Sequence, residues 1–98
     1  MRAGLVADKR RHESIEMLDD ERLVERAGAG DQQAFAELYR RYVDPVHDFL
    51  TRMLRNRDEA ADVTQDAFVR AMQALPKLRQ GTAFRGWLFT IARNTALN

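Results

Sequence analysis

The final third of the chain gathers side chains suited to one kind of chemistry. Arg85, Phe89 and Arg93 stand at i, i+4 and i+8 within the segment TAFRGWLFTIARN, with Asn94 next to Arg93 and with Lys77 and Arg79 shortly upstream. Cations spaced along a surface pair with phosphates, an aromatic ring among them stacks on a base, and a carboxamide hydrogen-bonds a base edge or a phosphate. Together these suit a single-stranded nucleic acid. Read as ordinary solubilising charge, the same residues would leave Phe89 packed on the N-terminal extension, and composition alone does not choose between the two.

A second group has the opposite sign. Asp58, Glu59, Asp62, Gln65 and Asp66 cluster in one short stretch, and Asp62, Gln65, Asp66 and Val69 share a helical face at i, i+3, i+4 and i+7, with Met72 one step further. Acids in the first turns of a helix complement its dipole and need no partner. Aligned with Val69 and Met72, they also form a partly apolar acidic stripe able to accept the arginines of a partner helix.

Catalytic and metal chemistry find no support. There is no cysteine, and His12 and His47 stand far apart. The AGAG stretch lacks the Lys-Ser/Thr of a phosphate-binding loop. No serine sits beside a plausible histidine base. Neither an enzymatic role nor a cofactor is expected.

These groups must be positioned by helices. In 98 residues there is room for one small domain, and no alternating strand pattern or hairpin turn occurs. A first helix is predicted from Asp19–Asp20, carrying Leu23, Val24 and Ala27 and stopping at the glycines of AGAGD. Asp31 should cap a second helix whose apolar stripe runs from Phe35 to Leu54, with a kink near residue 41 imposed by Pro45. Asp58 is the expected cap of a third helix, which Pro76 stops. Thr82 is the expected cap of a fourth, held to a core by Phe84, Trp87, Leu88, Ile91, Ala92 and Thr95. The predicted fold is an all-α bundle of three to four helices. Residues 1–18 show no clean periodicity and are predicted to be a disordered extension. The helical pattern runs to Asn98 without a stop signal, as expected for a piece of a longer polypeptide.

Charge divides along the chain. Residues 1–66 hold eleven Lys and Arg and all fifteen acids, a net of −4, whereas residues 67–98 hold five basic residues and no acid. A polyanion facing the C-terminal third would account for the split. No apolar run approaches the ~20 residues that span a bilayer, and the charged N-terminus has no signal-peptide core. The expected location is the cytoplasm, without membrane insertion.

Three segments, GDQQAFAELYRRY (30–42), DEAADVTQDAFVRAMQAL (58–75) and FRGWLFTIARNTALN (84–98), together resemble, in order and spacing, region 2 of bacterial sigma factors, above all the extracytoplasmic-function (ECF) group. The resemblance covers residues 19–98. It implies a domain that docks on RNA polymerase core and reads the −10 element of a promoter, with a helix-turn-helix region 4 lying beyond Asn98. By position, Asp62, Gln65 and Asp66, flanked by Val69 and Met72, would contact the clamp coiled coil of the polymerase β′ subunit. Lys77, Leu78, Arg79, Gln80, Gly81 and Thr82 would form the loop that captures a flipped base of the non-template strand, with Ala74, Ile91 and Asn94 lining or bordering the pocket. Arg85, Phe89 and Arg93 would line the path of the strand. The loop departs from the family's usual Phe-Arg-Gly, reading Leu78-Arg79-Gln80-Gly81. The missing aromatic removes a stacking surface worth about 1–3 kcal/mol per base. Family members are often held by anti-sigma factors, so a purely regulatory interaction module is the alternative function. A helical scaffold with no nucleic-acid partner is a third.

Overall fold

The computed structural model describes residues 14–98, which form four α-helices joined by short turns. α1 spans Asp20–Gly28, α2 Gln32–Leu54, α3 Arg57–Ala74 and α4 Phe84–Leu97. One 3-10 turn, Ile15–Met17, precedes α1, and a second, Leu75–Lys77, prolongs α3.

The corner between α1 and α2 follows directly from sequence. Gly30 adopts φ +103°, open to glycine at little cost, and donates its N–H to Ala27 O at 3.0 Å while Asp31 N–H reaches Arg26 O at 3.0 Å. These paired bonds close α1 as a Schellman motif. Asp31 then caps α2, its Oδ1 accepting from the N–H groups of Gln33 (3.0 Å) and Ala34 (3.2 Å). Its Oδ2 accepts from Arg26 Nε at 3.0 Å. One side chain thus ends one helix, starts the next and ties them together.

α2 is the longest element. It continues unbroken through Pro45 to Leu54, so Pro45 costs one backbone bond without interrupting the helix. Its buried apolar residues Ala34, Leu38, Tyr42, Val46 and Leu50 recur every fourth position. A four-residue step overshoots one turn by about 40°, so the buried stripe winds around the helix. α2 packs against α1, α3 and α4. α3 offers Ala60, Ala67 and Ala71 to the interior, small enough for α2 and α4 to pack on it from either side. Leu23, Phe68, Leu75, Phe84, Leu88 and Ala92 complete the core.

Two caps differ from expectation. α3 is capped by Asn56, whose Oδ1 accepts from Glu59 N–H at 2.8 Å, and not by Asp58. Arg55 is the cause. Its left-handed backbone (φ 57°, ψ 34°) reverses the chain so sharply that the next residue already stands at the helix entrance. α4 has no side-chain cap. It starts at Phe84 behind Ala83, while Thr82 spends its N–H on Arg79 O at 3.1 Å in a preceding turn.

Of the predicted extension, residues 1–13 lie outside the described residues. Residues 15–18 are structured: Ile15 and Leu18 pack against the core, and Arg41 Nη2 donates to Glu16 O at 2.9 Å.

Candidate nucleic-acid interface

The turn Arg79–Thr82 carries the expected base-capturing residues. Gly81 has φ +88° at its third position, where a positive φ makes glycine the easy choice. Leu78 is half-buried and anchors the turn, while Lys77, Arg79, Gln80, Gly81 and Thr82 are exposed. A cleft of about 1020 Å³ opens between this segment and α1. Leu78, Arg79, Gln80, Gly81, Thr82 and Arg85 line it from one side, and Asp19, Asp20, Glu21, Arg22 and Glu25, acidic on balance, from the other. Ala74, Lys77, Ile91 and Asn94 do not line this cleft. Ala74 and Asn94 are exposed on α3 and α4, and Ile91 is half-buried. This acidic side has no local sequence signal, because it depends on how α1 docks.

The cations of the last third lack carboxylate partners, as Arg52, Arg55 and Arg57 also do among the described residues. Arg22 pairs with Glu25, Arg26 with Asp31, Arg40 with Glu37, and Arg41 with Asp20 and Glu37. Among the described residues, Arg70, Lys77, Arg79, Arg85 and Arg93 have no carboxylate within 4.0 Å, and all five are exposed. Five exposed cations with no acid in the same third of the chain bias the field there towards polyanions.

Phe89 differs from the exposed ring expected of it. It is half-buried, with Phe49 of α2 edge-on at 5.3 Å between centroids and the Arg85 guanidinium carbon 4.7 Å from its own centroid. The Arg85 guanidinium also lies 5.9 Å from the centroid of Tyr42. Trp87, by contrast, packs on Phe84 at 5.7 Å, consistent with its expected structural role. Tyr42 and Phe49 belong to the apolar stripe of α2, whose spacing marks them as core and gives no sign of their contact with the α4 side chains.

Tyr42 joins this aromatic group to α1. Its hydroxyl donates to the Asp20 carboxylate, whose other oxygen accepts from Arg41 Nη1 at 3.1 Å. Burial, reinforced by the Asp20 carboxylate, pushes the Tyr42 phenol up to about 12. It therefore stays a neutral donor near neutral pH. Arg41 Nε also donates at 2.9 Å to Glu37, the one buried acid among the described residues. Burial works against the charge of Arg41, yet its bonds to Glu37 and Asp20 raise its affinity for the proton above the usual arginine value.

The acidic stripe forms as its spacing predicts. Asp62, Gln65, Asp66, Val69 and Met72 are all exposed on α3, Val69 by 48% and Met72 by 51%. Gln65 Nε2 donates to Tyr39 Oη at 2.8 Å, and Tyr39 rests edge-on against Phe68 at 4.8 Å. Among the described residues, Asp58, Glu59, Asp62 and Asp66 have no cation within 4.0 Å. No group of three or more residues able to hold a metal ion occurs among the described residues.

Residues 38–98 match the family of sigma-70 region 2 domains. The chain belongs to that family. This region 2 domain is of the ECF sigma-factor kind: it is 45% identical over 83 residues to the ECF RNA polymerase sigma-E factor of Escherichia coli K12, covering 85% of the chain and 43% of that protein. It is 42% identical over 79 residues to the RNA polymerase sigma-H factor of Pseudomonas aeruginosa, covering 81% of the chain and 41% of that protein. The chain thus spans about two fifths of the length of these relatives. Its fold is similar to an engineered region 2 of sigmaE solved by NMR in complex with GTAAAA. The TM-score is 0.78 at 41% identity, covering 83% of this chain and 84% of the other. The all-α prediction and the family resemblance both agree with these matches.

Proposed function

We propose that this region 2 domain recognises the −10 element of promoters as an opened non-template strand. It does so while docked through α3 on the β′ clamp coiled coil of RNA polymerase core, in the cytoplasm. Its role is to start transcription, with no reaction catalysed by the domain itself.

The observation that carries the reading is the set of exposed cations Lys77, Arg79, Arg85 and Arg93 in and after the 77–82 loop, in a third of the chain that holds no acid to neutralise them. Leaving them unpaired keeps their charge available to phosphates. The similar sigmaE region 2 was solved with GTAAAA, which supports a short strand as the ligand class. In this reading the loop takes one extruded base, with Arg79, Gln80 and Thr82 contacting its edge, and Ala74, Ile91 and Asn94 border its site. Extrusion costs a few kcal/mol, which these contacts must return. Asp62, Gln65 and Asp66 meet arginines of the coiled coil, and Val69 and Met72 supply apolar contact beside them. An anti-sigma factor covering the same two faces would compete with both partners.

The test is fluorescence anisotropy of the 98-residue chain with single-stranded oligonucleotides containing GTAAAA, scrambled versions and the matching duplexes. We expect preference for a specific single strand and a slope of log K against log salt of about −0.7 per phosphate contacted. Equal binding to all strands, repeated with core polymerase present, would overturn the reading.

A further inference from the structure

We infer that Phe89 is a positioning residue for Arg85, and that it serves the strand through that guanidinium without stacking on a base itself. The inference rests on the single-strand reading above. Three observations carry it. The Phe89 ring is half-buried, and Phe49 meets it edge-on at 5.3 Å with 69° between planes, which fixes its orientation. The Arg85 guanidinium carbon lies 4.7 Å from the ring centroid, within the distance at which a cation is held by an aromatic face. Arg85 remains exposed and, among the described residues, has no carboxylate within 4.0 Å.

A base cannot stack where a guanidinium already sits. A phosphate can still reach the edge of that guanidinium, because an arginine stacked on a ring keeps its in-plane N–H donors free. Tyr42 also lies near, its ring centroid 5.9 Å from the guanidinium and its hydroxyl bonded to Asp20. Arg85 is thereby ordered before any ligand arrives, which removes part of the ordering cost that a free arginine would incur on binding. The i, i+4 step from Arg85 to Phe89 is what brings the two side chains together on α4.

A double-mutant cycle separates positioning from stacking. Affinity of the 98-residue chain for a GTAAAA-containing single strand would be measured for wild type, Phe89→Leu, Arg85→Ala and the double variant. Melting curves would verify that each is folded at the assay temperature. Phe89→Leu should weaken binding by about two- to fivefold, the loss of one cation–aromatic contact at an exposed site. In the Arg85→Ala background it should cost nothing further. Phe89→Trp, which keeps an aromatic face, should bind like wild type. The salt slope should fall by about 0.7 in Arg85→Ala and stay unchanged in Phe89→Leu. An equal loss from Phe89→Leu in both backgrounds would mean that the ring touches the strand directly, and no loss in either would mean that the ring is inert; both overturn the inference. Absence of wild-type binding to any single strand would instead remove the strand reading and the inference with it. In the free protein, the side-chain protons of Arg85 should show upfield ring-current shifts that vanish in Phe89→Leu, and unshifted wild-type resonances would disprove the seat independently of DNA.

Discussion

Replacing Asp31 tests how much of the fold hangs on one carboxylate. The side chain accepts from the N–H groups of Gln33 and Ala34, and it pairs with Arg26, whose Nη2 lies 2.8 Å from Oδ2. Loss of a helix cap costs about 1 kcal/mol. The ion pair is partly exposed, 28% on each side, so it adds only about 0.5 kcal/mol. Asp31→Ala should therefore lose about 1.5 kcal/mol, and Asp31→Asn, which keeps the cap, only about 0.5. For a domain of this size that is a fall in Tm of roughly 6–12 °C and 2–4 °C.

The pH dependence provides the sign. Burial alone would raise the affinity of Asp31 for a proton, but the Ala34 N–H, the Arg26 guanidinium and the Gln33 N–H outweigh it and hold the carboxyl below the usual aspartate range. A carboxyl whose folded value is depressed stabilises the fold above its unfolded value, about 3.9, and loses that contribution as pH falls through the folded value. Thermal melts followed by circular dichroism at pH 7 and pH 3 should show the gap between wild type and Asp31→Asn narrowing at the lower pH. Equal losses for Asp31→Ala and Asp31→Asn, or a gap that widens in acid, would refute the reasoning.

Further expectations concern the other turns and the acidic stripe. Arg55 holds a left-handed backbone at the end of α2, so Arg55→Gly should stabilise by about 0.5–1 kcal/mol, seen as a higher urea midpoint at unchanged m. Gly81→Ala introduces a Cβ that meets nothing within 4 Å, yet it must occupy φ +88°. It should cost about 1 kcal/mol or more in local strain, relieved by movement of the loop, so that single-strand affinity falls while Tm drops only a few degrees. Asp66→Arg reverses the sign of an exposed position on α3, so pull-down with core polymerase should be lost at an unchanged Tm.

Much of this molecule is legible before its structure. Asp31 and the glycines before it announce the first corner, because caps and left-handed turns are decided by a few neighbouring residues. The stripe Leu38, Tyr42, Val46 and Leu50 likewise declares the buried side of α2. What escapes notice is whatever depends on a second element. RNRD offers two residues able to cap, Asn56 and Asp58, and the backbone of Arg55 makes the choice. Phe89 looks like an open ring until Phe49 from another helix stands against it. Nothing local in the pair Arg40–Arg41 tells which will turn inward to Asp20. The acidic side of the cleft beside the 78–82 loop arises only when α1 docks, and Ile15 and Leu18 find their partners in the same way.

α3 bears the acidic stripe and then passes through the 75–77 turn straight into the basic loop. Each helical residue advances by about 1.5 Å and rotates by about 100°. The two surfaces are therefore phase-locked like marks on a single shaft. Side chains can vary on either mark without disturbing the other, but one residue inserted between Met72 and Leu75 would swing the loop by more than a quarter turn relative to the stripe. The number of residues separating the two surfaces is thus a fixed dimension of the domain, as binding as the identity of any residue on them.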